Sequence, residues 1–134
     1  MDLDQAMIVA GVGCKRGTPA FDIEAAIRAA LSRANLGTDA LDAVATTTSK
    51  ATEPGIGAAA ARLGVSMVLV SEAEMKAASG RTETRSERVL ALTGVPSLAE
   101  AAALAAAGPS AHLIGPRLVL GSATCALAAS RAAP

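Results

Sequence analysis

Apolar residues fall in short runs separated by polar breaks. "QAMIVAGVG", residues 5–13, is apolar enough for a central strand buried on both faces. Thr18 then caps a helix, with Pro19 at its first position. Asp22 and Glu24 sit in its first turn, where they suit the helix dipole. Ile23, Ile27, Ala30, Leu31 and Ala34 share one face at helical spacing, and Gly37 lies just past the end. Residues 42–48, "DAVATTT", predict a second strand, and "SKATEPGIG" is a loop feeding an alanine-rich helix that ends near Gly64. "VSMVLVS" predicts a third, buried strand.

Ser71 and Glu74 form a capping box for a short helix running to about Ala78. "SGRTETRSE" is polar throughout and predicts a mobile loop. Ser86 opens a further short helix that Gly94 stops. Ser97 and Glu100 make a second capping box, and Gly108 terminates the alanine-rich helix between them. The tail, "AHLIGPRLVLGSATCALAAS", predicts a strand pair turning at Gly121 and Ser122. Strands alternating with helices give an α/β domain with a largely parallel sheet, to which the last hairpin adds an antiparallel element. With no internal repeat and no linker, residues 1–134 read as one domain.

Composition sharpens this picture. About half of the residues, 51%, are apolar, but many are alanine, so thin helices should pack close to the sheet. Lys plus Arg equals Asp plus Glu at 12 each, and no net field points to nucleic acid or an anionic membrane. Phe21 is the single aromatic residue, which leaves no stacking platform for single-stranded nucleic acid. The aspartates near the start do not suit a signal peptide, and no apolar run could span a bilayer. A soluble cytoplasmic protein with reduced Cys14 and Cys125 is expected.

Candidate chemistry concentrates in "GVGCKRGTPA". A strand, a glycine turn and a helix present backbone N–H groups to an anion. The spacing of Gly11, Gly13 and Gly17 matches neither a dinucleotide fingerprint nor a phosphate loop, and no cofactor is expected. Lys15 and Arg16 leave a local cationic pocket beside the helix start, or else the glycines only permit a tight turn. Cys14 is either a thiol activated by those cations or a small buried hydrophobe, whereas Cys125 belongs to the core. His112 stands alone, so no metal site is expected. Ligands in open α/β sheets bind outside the carboxyl ends of the strands, which places Lys15, Arg16, Thr48 and Lys50 on one rim.

"GVGCKRGT", "TTTSKATEPGI" and "TGVPSLAEAAALAAAG", together and in this order, resemble the CobE family, which is similar to the C-terminal domain of CbiG, both of cobalamin biosynthesis. The resemblance covers nearly the whole chain and implies a three-layer α/β/α domain with a mostly parallel, mixed sheet. Thr48 stands where the family usually has an acidic residue, while Lys50 and Glu53 match. It also implies a ligand: a precorrin or corrin intermediate fringed with carboxylates, held by Gly11, Gly13, Cys14, Lys15, Arg16, Gly17, Thr18, Thr48, Lys50 and Glu53.

Three functions compete. The chain binds or escorts such an intermediate; or it is a hydrolase acting on a precorrin lactone, with Cys14 or Glu53 as the groups to suspect; or it is a module that docks on another cobalamin-pathway enzyme. None involves nucleic acid or a membrane.

Overall fold

The chain order is β1 (Ile8–Cys14), α1 (Ala20–Arg33), a 3-10 turn (Thr38–Ala40), β2 (Ala43–Thr47), α2 (Pro54–Leu63), β3 (Ser66–Val70), α3 (Glu72–Ala78), α4 (Leu98–Ala107), β4 (His112–Leu113), β5 (Leu118–Leu120) and β6 (Ala123–Ala129). The computed structural model describes residues 7–48, 53–78, 97–115 and 117–130. Lys50, "SGRTETRSE" and the helix expected from Ser86 to Gly94 lie outside the described residues.

Among the described residues the sheet has six strands, in the order β3–β2–β1–β6–β4, and β5 also pairs with β6. β1 is central, as its continuous apolar run predicts: parallel to β2 on one side, antiparallel to β6 on the other. β2 and β3 pair in parallel, and β4 and β5 both pair antiparallel with β6. The sheet is therefore mixed because β6 alone runs against the other strands. The expected strand pair at the tail forms around Gly121 and Ser122, with Gly121 at φ +62°.

Alternation along β1 sorts the two faces. Ala10 and Val12 meet Ile23, Ile27, Leu31 and Ile56 from α1 and α2. Val9 points the other way, into a cluster with Val70, Met75 and Leu104 under α3 and α4. The alanines of α4 bring that helix very close. A Cβ on Gly11 would lie 1.9 Å from the Ala99 carbonyl oxygen, so β1 tolerates only glycine there. Among the described residues no helix is long and apolar enough to cross a membrane.

Local signals held where the chain alone decides the geometry. Ser71 and Glu74 form both bonds of the capping box: the Ser71 N–H donates to Glu74 Oε1 at 3.1 Å, and the Glu74 N–H donates to Ser71 Oγ at 3.2 Å. Ser97 is the N-cap of α4 and accepts from the Glu100 N–H at 3.4 Å. Gly64 ends α2 in the left-handed region at φ +75°.

Two expectations are corrected. Thr18 does not cap α1; the cap position is Pro19, without a side-chain bond, because the Thr18 hydroxyl turns back to donate to the Lys15 carbonyl at 2.6 Å. At the other end of α1, before Gly37, Asn35 takes the left-handed position at φ +60°, and the Leu36 N–H closes onto the Leu31 carbonyl at 2.8 Å. β3 is not a buried strand. Among the described residues it ends the strand order, and its Val68 and Leu69 are exposed, because an apolar run does not reveal whether both sides of a strand are covered.

Candidate functional site

The turn after β1 is built from its own hydrogen bonds. Lys15 N–H donates to the Ser122 carbonyl at 3.0 Å, and Thr18 N–H donates to the Lys15 carbonyl at 3.2 Å. Gly17, left-handed at φ +78°, donates its N–H to Glu53 Oε1 at 2.9 Å. The Thr18 and Ser122 hydroxyls meet at 3.0 Å. These donors do not face outward to an anion, as a bare glycine turn would present them. At the helix start expected from the sequence to receive an anion, the Gly17 N–H is taken by the chain's own Glu53, which lines the opening beside it.

The cations converge elsewhere. A cleft of about 260 Å³ opens on the α4 side of the sheet, between the end of β1, the first turn of α4 and the β5–β6 hairpin. Lys15 and Arg117 line it together with Ser122 and Thr124, and Leu98, Ala99 and Val119 give it an apolar wall. Gly13 pairs with Thr124 in the floor, and a Cβ on Gly13 would meet nothing within 4 Å. The missing side chain at Gly13 is thus part of the cleft's volume.

Arg117 owes its position to a carboxylate. Glu100, fully buried in the first turn of α4, accepts the Arg117 N–H on Oε2 at 3.2 Å. This bond fixes the start of β5 against α4, with Arg117 lining the cleft. Among the described residues neither Lys15 nor Arg117 is held in an ion pair. The first turn of α4 adds the positive end of its dipole to the same cleft. The arrangement suits a carboxylate attached to an apolar body.

The sequence-derived residues separate into distinct places. Gly13, Cys14 and Lys15 line the cleft. Gly17, Thr18 and Glu53 line a different groove, between the starts of α1 and α2. Gly11 lies under α4 as a packing residue. Arg16 and Thr48 are exposed and line neither opening. Cys14 is half-buried, whereas Cys125 is fully buried and its thiol is pushed up to about 12 by that burial, against a small opposing effect of Arg33. The two residues suspected of hydrolysis, Cys14 and Glu53, are not brought into one opening.

Sequence reasoning missed Arg117, Ser122, Thr124 and the apolar wall. The one available signal was Arg117 itself, the single cation of "GPRLVLGS" in an otherwise apolar tail. Its partnership with Lys15 depends on β6 lying beside β1, which no local pattern states.

The description "Cobalamin synthesis G C-terminus" belongs to a protein family whose profile matches residues 8–128. A curated protein named CobE, from Sinorhizobium sp, is 40% identical over 123 residues, which is 92% of this chain and 80% of that protein. The crystal structure of CobE, described as a protein from the cobalamin (vitamin B12) biosynthetic pathway, is similar with a TM-score of 0.90 at 32% identity, covering 96% of this chain and 94% of that one. Cobalamin biosynthesis protein chiG from Agrobacterium tumefaciens is similar with a TM-score of 0.75 at 41% identity, covering 92% of this chain and 98% of that one. A cobalamin biosynthesis protein G homolog from Sulfolobus solfataricus shares the fold, with a TM-score of 0.68 at 23% identity over 93% of this chain and 37% of that chain.

Proposed function

The chain belongs to the CobE family, which is similar to the C-terminal domain of CbiG, and from that place in cobalamin biosynthesis we propose that it binds and escorts a carboxylate-rich precorrin or corrin intermediate. The observation that carries this reading is the cleft in which Lys15 and Arg117 stand without ion-pair partners among the described residues, opposite Leu98 and Val119. Tetrapyrrole precursors combine an apolar ring with acetate and propionate arms. A cationic wall facing an apolar wall matches both parts of such a ligand.

Binding, rather than chemistry, is the reading favoured. Lactone opening needs a base or nucleophile beside the reacting carbonyl. Cys14 and Glu53 border separate openings, which supports binding over a mechanism that joins the two on one bond.

Titration with a corrinoid bearing free carboxylates, followed by visible absorbance, tests the proposal. Saturable binding is expected, weakened about tenfold or more by combining Lys15→Ala with Arg117→Ala. Arg16→Ala, outside the cleft, should leave affinity unchanged. Added salt should weaken binding by screening the exposed cations. Absence of binding up to about millimolar ligand, the weak end of measurable affinity, overturns the proposal.

A further inference from the structure

The cleft is small and rigid for such a ligand. Pockets that engulf a drug-sized molecule run to roughly 300–1,000 Å³, and a tetrapyrrole with its acid arms exceeds drug size. The space here is about 260 Å³. It cannot deepen, because its floor is the β1–β6 ladder at Gly13 and Thr124. Nor can its α4 wall fall back easily, since Gly11 and the buried alanines hold that helix against the sheet. The opposite wall is β5, paired to β6 and pinned through Glu100.

At the mouth of this cleft stands Val119, a large apolar residue that is 60% exposed and lines the opening. Lys15 and Arg117 line the same opening as Val119, so an acid arm that enters it leaves its ring at the mouth, where Val119 is exposed. Resting on the foregoing assignment of the ligand class, we propose that the protein grips the tetrapyrrole by one edge. One or two neighbouring carboxylate arms enter the cleft, the ring edge rests on Val119, and the faces and far edge of the macrocycle stay open to water. Held this way, the ring is accessible to a second protein before it is released, a geometry suited to passing an intermediate on.

The test uses the full chain with a cobalt-free, fluorescent corrin whose carboxylates are all free, and the neutral quencher acrylamide. Edge-on binding predicts that the Stern–Volmer constant of bound ligand stays above about half the free value, since most of the ring remains solvated. A fivefold or larger drop shows an engulfed ring and overturns the inference while leaving corrinoid binding in place. The fully amidated corrin should bind at least about tenfold more weakly. Equal affinity for acid and amide forms shows that the arms are not the handle, and again overturns it. Val119→Ser, at an exposed site, should keep the fold and weaken binding about threefold or more; wild-type affinity in this variant argues against the ring edge resting there. If no corrin binds at all, both the ligand assignment and the edge-on grip fall together.

Discussion

The Glu53 carboxylate accepts a hydrogen bond from the Gly17 N–H at 2.9 Å, and so joins the loop before α2 to the turn before α1. The glycine-rich segment that looks like an anion seat already holds an anion, and that anion is covalently part of the chain. Gly55 completes the junction: a Cβ there would sit 2.3 Å from the Thr18 carbonyl oxygen. The segment is thereby a structural joint on one side of β1, while Lys15 leans to the cleft on the other.

Removing this anion should loosen the joint without touching the cleft. Glu53→Ala is expected to destabilise by about 1 kcal/mol, the usual net worth of one such bond. Glu53→Gln keeps an accepting oxygen and should lose less than half of that. Urea denaturation measures both, and corrinoid affinity should stay within about twofold of wild type. A large loss of affinity in Glu53→Gln with unchanged stability would place the ligand in the wrong opening.

Two glycines of β1 should behave in opposite ways. Gly11→Ala forces a methyl group against α4 backbone atoms at 1.9 and 2.7 Å, and overpacking of that kind costs about 3 kcal/mol or more. Gly13→Val meets open space and has better strand propensity than glycine, so stability should hold or rise slightly. The valine occupies the cleft, and ligand affinity should fall about tenfold or more. A Gly13→Val protein that binds normally would move the site away from this cleft.

Acid should weaken the contact between α1 and α2. Glu24 is held by Arg62 of α2 and Arg28 of its own helix, and these hydrogen bonds, Arg62 first, lower its pKa from the ordinary 4.5. A carboxylate whose pKa is lower folded than unfolded stabilises the fold above its unfolded pKa. That contribution is lost as pH falls through about 4.5 and below the depressed folded value. Glu74, lowered mainly by the Ser71 backbone N–H, adds in the same direction. Glu24→Gln should therefore be less stable than wild type at pH 7, and the gap should narrow as pH falls below the ordinary 4.5 and close once Glu24 is protonated in the folded state. Thermal melts across pH check this; a gap that is constant with pH would mean the ion pairs contribute nothing.

The two thiols should differ sharply. Cys14 is half-buried, its side chain against the core on the α1 side of the sheet, while Cys125 is enclosed and its thiol is raised to about 12. The thiolate is the reactive form, so iodoacetamide at pH 8 should label Cys14 in the native protein and Cys125 only after unfolding. Mass spectrometry of digested protein reads the sites. Equal labelling of both would show that β6 opens in the native state.

Taken by itself, the sequence determined what depends on near neighbours. Apolar runs located β1 and β2, Ser71–Glu74 and Ser97 marked helix starts, Gly64 a helix end, and Gly121 with Ser122 the final hairpin. Three motifs in order were enough for the family. These signals are legible because each rests on a few consecutive residues and the conformations open to them. Only the tertiary structure decided that β3 ends the strand order among the described residues, that Asn35 turns left-handed after α1, and that Glu53 accepts the Gly17 N–H. It also decided that Lys15 shares its cleft with Arg117 rather than with Arg16. Adjacent residues on a tight turn point in different directions. Residues far apart in the chain meet only when strands pair, and the antiparallel ladder of β1 with β6 is what brings Arg117 to Lys15.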